Sequence, residues 1–320
     1  MNTPKDGHQR IAAVTGGTGF LGRFIVAALT KAGWKVRLLV RSEPLHPLVP
    51  ELDAEIILGD LSDQAALEKL CLGADAIIHA AGLIKAKSRE AFYRVNEHGS
   101  ANLAKASAKV APNARLVMVS SFAARAPELS DYAASKRAGE EILLKNAASP
   151  VAILRPSAIY GRWDKETFPL FQMAAKGAIF SPGSDSDRIC LVCADDVAQA
   201  VVAFSCNPEV NGVFEISDAN VDGYTWSQIA KAAGKALKTT PKLVKIPSPL
   251  LRIVALATQA ISRITGNTPI LTQGKVREIL RGDWSSSPQK QPPQAVWQPQ
   301  VDIEQGFIQT AEWYQKHDWL

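Results

Sequence analysis

Through the first half of this chain of 320 residues, short β-branched runs alternate with longer stretches carrying apolar residues every three or four positions. The runs at 10–15, 35–40, 55–58, 76–79, 115–120 and 151–155 read as strands. The stretches at 21–32, 64–72, 100–109 and 132–147 read as amphipathic helices between them. Apolar strands separated by helices predict an α/β protein with a Rossmann-type, doubly wound parallel sheet covered on both faces, over residues 1–160. Such a sheet binds its ligand beyond the carboxyl ends of the strands, where the strand order reverses. After residue 160 the alternation loosens. Residues 168–176 read as a helix, 189–193 as a strand, and 195–206 as a helix capped by Asp195. A Pro-punctuated region over 241–299 contains an apolar helix at 250–264 and a Pro/Gln/Ser-rich loop at 285–299. The last helix carries Phe307, Ala311, Trp313 and Tyr314. Residues 161–320 are therefore expected to form a smaller C-terminal substrate region, with some segments returning to the Rossmann core.

Composition changes this picture little. Hydrophobic residues make up 47% and charged residues 21%, as in ordinary globular proteins. The net charge of +5 is mildly basic, and with Lys and Arg scattered along the chain it reads as a solvated surface with a modest pull on anionic ligands. No nucleic-acid module is present in the pattern. Cys190 and Cys193 form a lone C-x-x-C in an apolar stretch, without a second pair or a His at zinc spacing, so buried thiols are expected rather than a metal or redox site. The polar first ten residues do not read as a signal peptide, and the apolar run at 250–261 is interrupted by Arg252 and too short to span a bilayer. The expected location is cytoplasmic.

The first strand runs into Thr15-Gly-Gly-Thr-Gly-Phe-Leu-Gly22 and then a helix. Two glycine registers fit: Gly17, Gly19 and Gly22, or Gly16, Gly19 and Gly22. Glycines here permit a tight turn and let backbone N–H groups, including those of Phe20 and Leu21, approach a pyrophosphate at a helix N-terminus. The second strand ends at Arg41, where an acidic residue would bind the ribose hydroxyl of NAD and an Arg suits the 2′-phosphate of NADP. The reading favours NADP over NAD, with Glu43 close enough to blur the distinction and simple exposure of Arg41 as the alternative.

Tyr132-Ala-Ala-Ser-Lys136 resembles the Y-x-x-x-K signature of the short-chain dehydrogenases/reductases. Further segments are similar to the extended branch of that family, the NAD-dependent epimerase/dehydratase-like proteins. These are Gly59-Asp60-Leu61, His79-Ala80-Ala81-Gly82, Val95-Asn96, Arg155-Pro156-Ser157-Ala158-Ile159-Tyr160-Gly161, Asp195-Asp196-Val197-Ala198, and the ending from Glu304 and Gly306 to Trp313-Tyr314. The resemblance covers essentially the whole chain. It implies that Asp60 and Leu61 lie beside the adenine ring, that Ala80, Ala81 and Gly82 line the cofactor, and that the loop bearing Pro156 lies near the nicotinamide. It also implies that Lys136 holds the nicotinamide ribose and that a homodimer is possible.

The residues themselves support hydride-transfer chemistry. Tyr132 and Lys136 are four apart and share one helix face. An ammonium beside a phenol is expected to pull its pKa down from about 10, so that Tyr132 can exchange a proton with a substrate oxygen. The third member is a hydroxyl at the end of the fifth strand: Ser121 matches the position that usually acts in the family, with Ser120 as the alternative. Residues 123–131 would then form a compact loop over the substrate. Asn96 reads as a helix-distorting or water-holding residue, or as a satisfied buried Asn.

Sugar-nucleotide epimerases of this branch are expected to grip a diphosphate with two arginines. Here Arg188 falls one position off register, and Arg281 is the nearby second candidate. The stretches at 247–251, 263–266, 269–272 and 275–277, ending at Asp283-Trp284, look more like the 3β-hydroxysteroid dehydrogenase and dihydroflavonol reductase side, whose substrates are bulkier and less charged. The helix at 250–264 could line such a site, rest on a membrane surface, or pack as core or dimer contact. The reading is thus an NAD(P)-dependent oxidoreductase of a small-molecule secondary alcohol or ketone using Ser121, Tyr132 and Lys136. The alternatives are a nucleotide-sugar epimerase or dehydratase and, behind that, a cofactor-binding protein without chemistry.

Overall fold

Strands with no polar face have to be covered on both sides, and the central sheet is built from them. The computed structural model describes residues 9–41, 54–269 and 271–320; the first eight residues, Glu43 and position 270 lie outside the described residues. Strands β1 (Ile11–Thr15), β2 (Lys35–Val40), β3 (Ala54–Leu58), β4 (Ala76–His79), β5 (Arg115–Val119) and β6 (Val151–Pro156) are all parallel, in the order 3-2-1-4-5-6. Strands β4, β5 and β6 are buried at every position. The strand order reverses between β1 and β4, so their carboxyl ends form the crevice where a ligand binds.

The connecting helices are α1 (Phe20–Lys31), α2 (Gln64–Cys71), α3 (Arg89–Tyr93), α4 (Gly99–Val110) and α5 (Asp131–Asn146). After β7 (Ala158–Tyr160) come α6 (Phe168–Ala175), β8 (Ala178–Pro182), β9 (Arg188–Ile189), β10 (Leu191–Cys193), α7 (Ala194–Cys206) and β11 (Gly212–Ile216). The chain closes with α8 (Trp226–Leu237), β12 (Lys242–Ile246), α9 (Ser248–Thr265), α10 (Gln273–Ile279), β13 (Asp283–Trp284) and α11 (Ile303–Lys316).

Two apolar layers sandwich the sheet. One packs α1 and α7, with Phe24, Ile25, Val201, Phe204 and Trp297; the other packs α2, α4 and α5, with Leu67, Leu70, Leu103 and Leu143. Strand β11 pairs with β6 as a seventh parallel strand, so both α7 and β11 belong to the sheet layer. A separate aromatic cluster of Tyr160, Phe171, Phe307 and Tyr314 joins α6, α8 and α11.

Two expectations are corrected. The strand at 189–193 is split, because Arg188–Ile189 pairs with β13 while Leu191–Cys193 pairs with β7. Asp195 does not cap α7: Cys193 holds the N-cap position without a side-chain bond, and Asp195 sits in the first turn, where its charge suits the helix dipole. Cys71, Cys190 and Cys193 are buried, and burial pushes each thiol up to about 12, whereas Cys206 is exposed.

Candidate active site

The glycine loop is shaped by close approach. Gly16 has φ +76°, and a Cβ there would lie 2.5 Å from the Ala81 nitrogen and 2.6 Å from the Ala80 carbonyl carbon. A Cβ on Gly22 would lie 2.0 Å from the Gly16 oxygen, so α1 can start directly under the loop only with glycine there. At Gly19 the space is open except for the Gly16 oxygen at 3.3 Å. Gly19 is the N-cap of α1 and no side chain caps that helix, which leaves the first-turn N–H groups of Phe20, Leu21 and Gly22 facing the loop without a competing side-chain acceptor. The cradle therefore fits a pyrophosphate.

Asp60 and Leu61 follow β3 at the same edge. Asp60 accepts from the Ser62 hydroxyl (2.6 Å) and amide (2.7 Å), which hold its carboxyl below the usual range, with a smaller contribution from the Arg41 charge. Arg41 is exposed, directly after β2. Leu61 packs against Gly99 and its carbonyl accepts from Asn102 Nδ2 at 2.8 Å.

A buried polar chain ties the strand ends together. Ser100 Oγ gives its single proton to the Asn96 carbonyl (2.7 Å), so His79 Nε2–H donates to Ser100 (3.0 Å) and His79 Nδ1 accepts from Thr15 Oγ1 (2.7 Å). Burial, with the Lys136 charge, drives the His79 pKa down to about 3, so the ring is neutral. Asn96 lies in a π-helical turn (Arg94–His98) between α3 and α4. Its Oδ1 accepts from Leu83 N (2.8 Å), and its Nδ2 donates to Leu83 O (3.0 Å) and Ser135 Oγ (2.9 Å). Asn96 thus sits in a distorted helix and is itself a satisfied buried residue, pinning the Ala80–Ala81–Gly82 turn to α5.

Helix α5 begins at a Ser130 cap, whose oxygen accepts from Ala133 N at 2.9 Å. One turn later it presents Tyr132 and Lys136 on one face. Tyr132 is half-buried and hydrogen-bonded to Ser121, which caps the short 3-10 turn Phe122–Arg125 by accepting from Ala123 N at 3.1 Å. That turn and the start of α5 at Asp131 take up residues 123–125 and 131 of the loop expected over 123–131, and 126–130 remain a loop. Lys136 is buried, and its Nζ donates to the Val119 carbonyl at 2.9 Å. A Cβ on Gly82 would lie 3.4 Å from that Nζ, which places the Ala80–Ala81–Gly82 turn against the ammonium.

The expected lowering of the Tyr132 pKa is not found. Burial pushes the phenol up to about 12; the Ser121 hydrogen bond pulls the other way and the Glu278 charge adds to the rise. Burial lowers the Lys136 ammonium to about 8 against the opposing charge of Glu140. The phenol is therefore held protonated at neutral pH.

Ser120 is committed elsewhere. Its hydroxyl donates to Glu140, whose carboxylate also takes two bonds from Arg155, at 2.8 Å from Nε and 2.5 Å from Nη2. All three side chains are buried. Pro156 follows, and then Ser157, whose buried hydroxyl has no hydrogen-bond partner among the described residues.

On the substrate side, α10 packs over the start of α5. Gly274 lies against Ser130, Arg277 Nε donates to Leu129 O (2.7 Å), and the Ser130 hydroxyl donates to the buried Glu278. The two arginines considered for a diphosphate are occupied: Arg188 donates to the carbonyls of Ser186 (3.0 Å) and Asp187 (3.1 Å) in its own turn, and Arg281 stacks on Trp284 at 4.6 Å.

The model of the NAD dependent epimerase/dehydratase family matches residues 12–217. The chain belongs to that family. Ceramide reductase of Caulobacter vibrioides is 43% identical to this family member over 312 residues, covering 97% of this chain and 96% of the relative. The decarboxylating sterol-4-alpha-carboxylate 3-dehydrogenase of Schizosaccharomyces pombe is 25% identical over 330 residues, covering 93% and 95%. Among solved structures, UDP-N-acetylglucosamine 4-epimerase from Bacillus cereus superposes with a TM-score of 0.71 at 19% identity, over 98% of both chains, a likeness of fold. The chain is accordingly an NAD(P)-dependent enzyme of the extended short-chain dehydrogenase/reductase type.

Sequence reasoning did not single out Glu140. It stands four residues after Lys136, on the face that carries Tyr132 and Lys136, and a carboxylate continuing a catalytic face into a buried strand-end Arg was a readable signal. Glu278 carried no such signal, because only the tertiary fold brings α10 to Ser130.

Proposed function

We propose that this enzyme is an NADPH-dependent reductase that converts the keto group of a long-chain lipid of the ceramide class into a secondary alcohol. The similarity to ceramide reductase over nearly the full length of both chains carries the substrate class. NADPH, when bound, would supply the hydride for the carbonyl carbon. Gly16, Gly19, Phe20, Leu21 and Gly22 bind the pyrophosphate, Asp60 and Leu61 the adenosine, and Ala80, Ala81, Gly82 and Pro156 the nicotinamide half. Arg41 meets the 2′-phosphate. Ser121 holds the carbonyl oxygen, and Tyr132 gives its phenol proton to that oxygen as negative charge develops there. Lys136 holds the nicotinamide ribose and offsets the phenolate charge left behind. The engagement of Arg188 and Arg281 within the chain weighs against a nucleotide-sugar substrate.

The test is turnover of a 3-oxo-ceramide with NADPH and with NADH, alongside thermal-shift titration with UDP-glucose. Turnover preferring NADPH, lost in preference by Arg41→Ala, is the expected result. Stabilisation by UDP-glucose without ketone turnover would overturn the reading.

A further inference from the structure

A surface helix directs its apolar face at the core; in α9 the side against the protein is mixed, with Ala255 buried and Leu251 half-buried beside Thr258 and Gln259, while most of its large apolar side chains face solvent. Thr258 Oγ1 donates to the Leu271 carbonyl (2.6 Å), Gln259 accepts from Gln273 N (3.3 Å), and Gln273 Nε2 donates to the Arg252 carbonyl (2.8 Å). Leu250, Ile253, Val254, Leu256, Ile261 and Ile264 are all exposed, Ile264 at 86%. Just before α9, Val244 of β12 and its register partner Phe180 of β8 are exposed as well. Exposed apolar patches of this extent mark an interaction surface.

The charge around the helix narrows the partner. The carboxylates that balance Lys and Arg elsewhere are nearly absent here: residues 236–282 hold eight Lys or Arg and one carboxylate, Glu278, while the rest of the chain holds 28 Lys or Arg and 30 Asp or Glu. The positive excess of the protein therefore lies in this segment. Within it Glu278 is buried and bonded to Ser130 and Lys275, Lys245 pairs with Asp185 at 2.5 Å and Arg281 stacks on Trp284, so Lys238, Lys242, Arg252 and Arg277 carry the charge that has no carboxylate partner among the described residues. Two copies meeting through this face would bring like charges together, which disfavours a dimer there. Among the described residues no helix is long and apolar enough to cross a membrane.

We propose that α9 lies in the surface of an anionic lipid bilayer, its apolar face at the headgroup–acyl boundary and the surrounding Lys and Arg on the headgroup phosphates. The proposal draws on the lipid-substrate reading above, but the exposed apolar face of α9 and the local charge support it independently. Helix α10 links α9 to Ser130, two residues before Tyr132, so a docked enzyme would have its candidate proton donor close to the lipid surface.

Flotation of the full chain with phosphatidylcholine vesicles, with and without about 30 mol% phosphatidylglycerol, tests this. The protein should float with the anionic vesicles and not with phosphatidylcholine alone. Combining Ile253→Glu with Ile261→Glu should cut the bound fraction roughly tenfold or more, while leaving turnover of a water-soluble short-chain ketone intact. No flotation of the native chain, equal flotation of the variant, or a native dimer that the variant converts to a monomer would overturn the proposal. Flotation without turnover of 3-oxo-ceramide would sink the substrate reading and leave the docking standing.

Discussion

Replacing Glu140 by Gln removes one buried charge from the Ser120–Glu140–Arg155 cluster and changes little in shape. The carboxylate takes a two-pronged bond from Arg155, at 2.8 and 2.5 Å, and a third from Ser120, with all three side chains buried. Gln offers one acceptor oxygen, so Arg155 keeps a buried charge with a partner too few. Breaking a buried ion pair on one side costs about 3–5 kcal/mol. Against a total stability of about 5–15 kcal/mol, that lowers Tm on the order of 5–15 °C for a chain of this size. Calorimetry or a dye-based melt reads it directly. A second change distinguishes the loss of charge from simple damage: combining Glu140→Leu with Arg155→Met removes both charges and should recover much of the loss. Glu140 also raises the Lys136 pKa, so in Glu140→Gln the alkaline fall in kcat/KM should move to lower pH. A Tm within about 1 °C of native, or a double variant no better than the single, would refute the reasoning.

The alkaline limb itself is a prediction for the native enzyme. Since kcat/KM reports the free enzyme, ketone reduction should be level near neutral pH and fall as Lys136 loses its proton near 8, while Tyr132 stays protonated to about 12; a rate rising steadily from pH 7 to 9 contradicts it. His79 keeps its folded pKa near 3 against an ordinary 6.5. Below 6.5 the unfolded chain therefore takes up a proton that the folded chain refuses, and stability is lost as pH falls toward 3, by up to about 1.4 kcal/mol per pH unit. Urea midpoints across pH 4–6.5 should show a shallower slope for His79→Gln than for native protein, and equal slopes would refute this. Gly22→Ala places a Cβ 2.0 Å from the Gly16 oxygen, which should cost about 1–3 kcal/mol and weaken NADPH binding in a fluorescence titration; unchanged affinity would contradict the cradle.

How far the sequence revealed this architecture follows from what each residue has to satisfy. Strands β4, β5 and β6 were legible because each is a continuous apolar run buried on both faces. Strand β11 was not, because Glu215 occupies a strand position and is tolerated through distant partners: an ion pair with Arg125 at 3.1 Å, 90 positions away, and hydrogen bonds from Ser286 Oγ (3.0 Å) and Ser287 N (2.7 Å). The split between β9 and β10 depends on β13 and β7 supplying different partners, which no local pattern records. Between Ser120 and Ser121 the sequence left a choice; the buried Glu140 claims Ser120, and the Ser121 hydroxyl is the one that meets Tyr132. The phenol pKa went the other way from the spacing argument because burial outweighs its neighbours. Periodicity found the helix at 250–264 but could not say which face met the protein, and the inner side proved to be a mixed one of Leu251, Ala255, Thr258 and Gln259.

The central claim is that Tyr132 is the proton donor on a reductase site, and Tyr132→Phe tests it most directly. Removing that hydroxyl deletes the donor while leaving the ring, the glycine cradle and Lys136 in place. Single-turnover reduction of 3-oxo-ceramide by NADPH should slow by about 10²–10⁴-fold, the usual contribution of a positioned acid. NADPH affinity should stay within about threefold of native, a free-energy change of about 0.7 kcal/mol. Turnover at near-native rate in this variant would contradict the account.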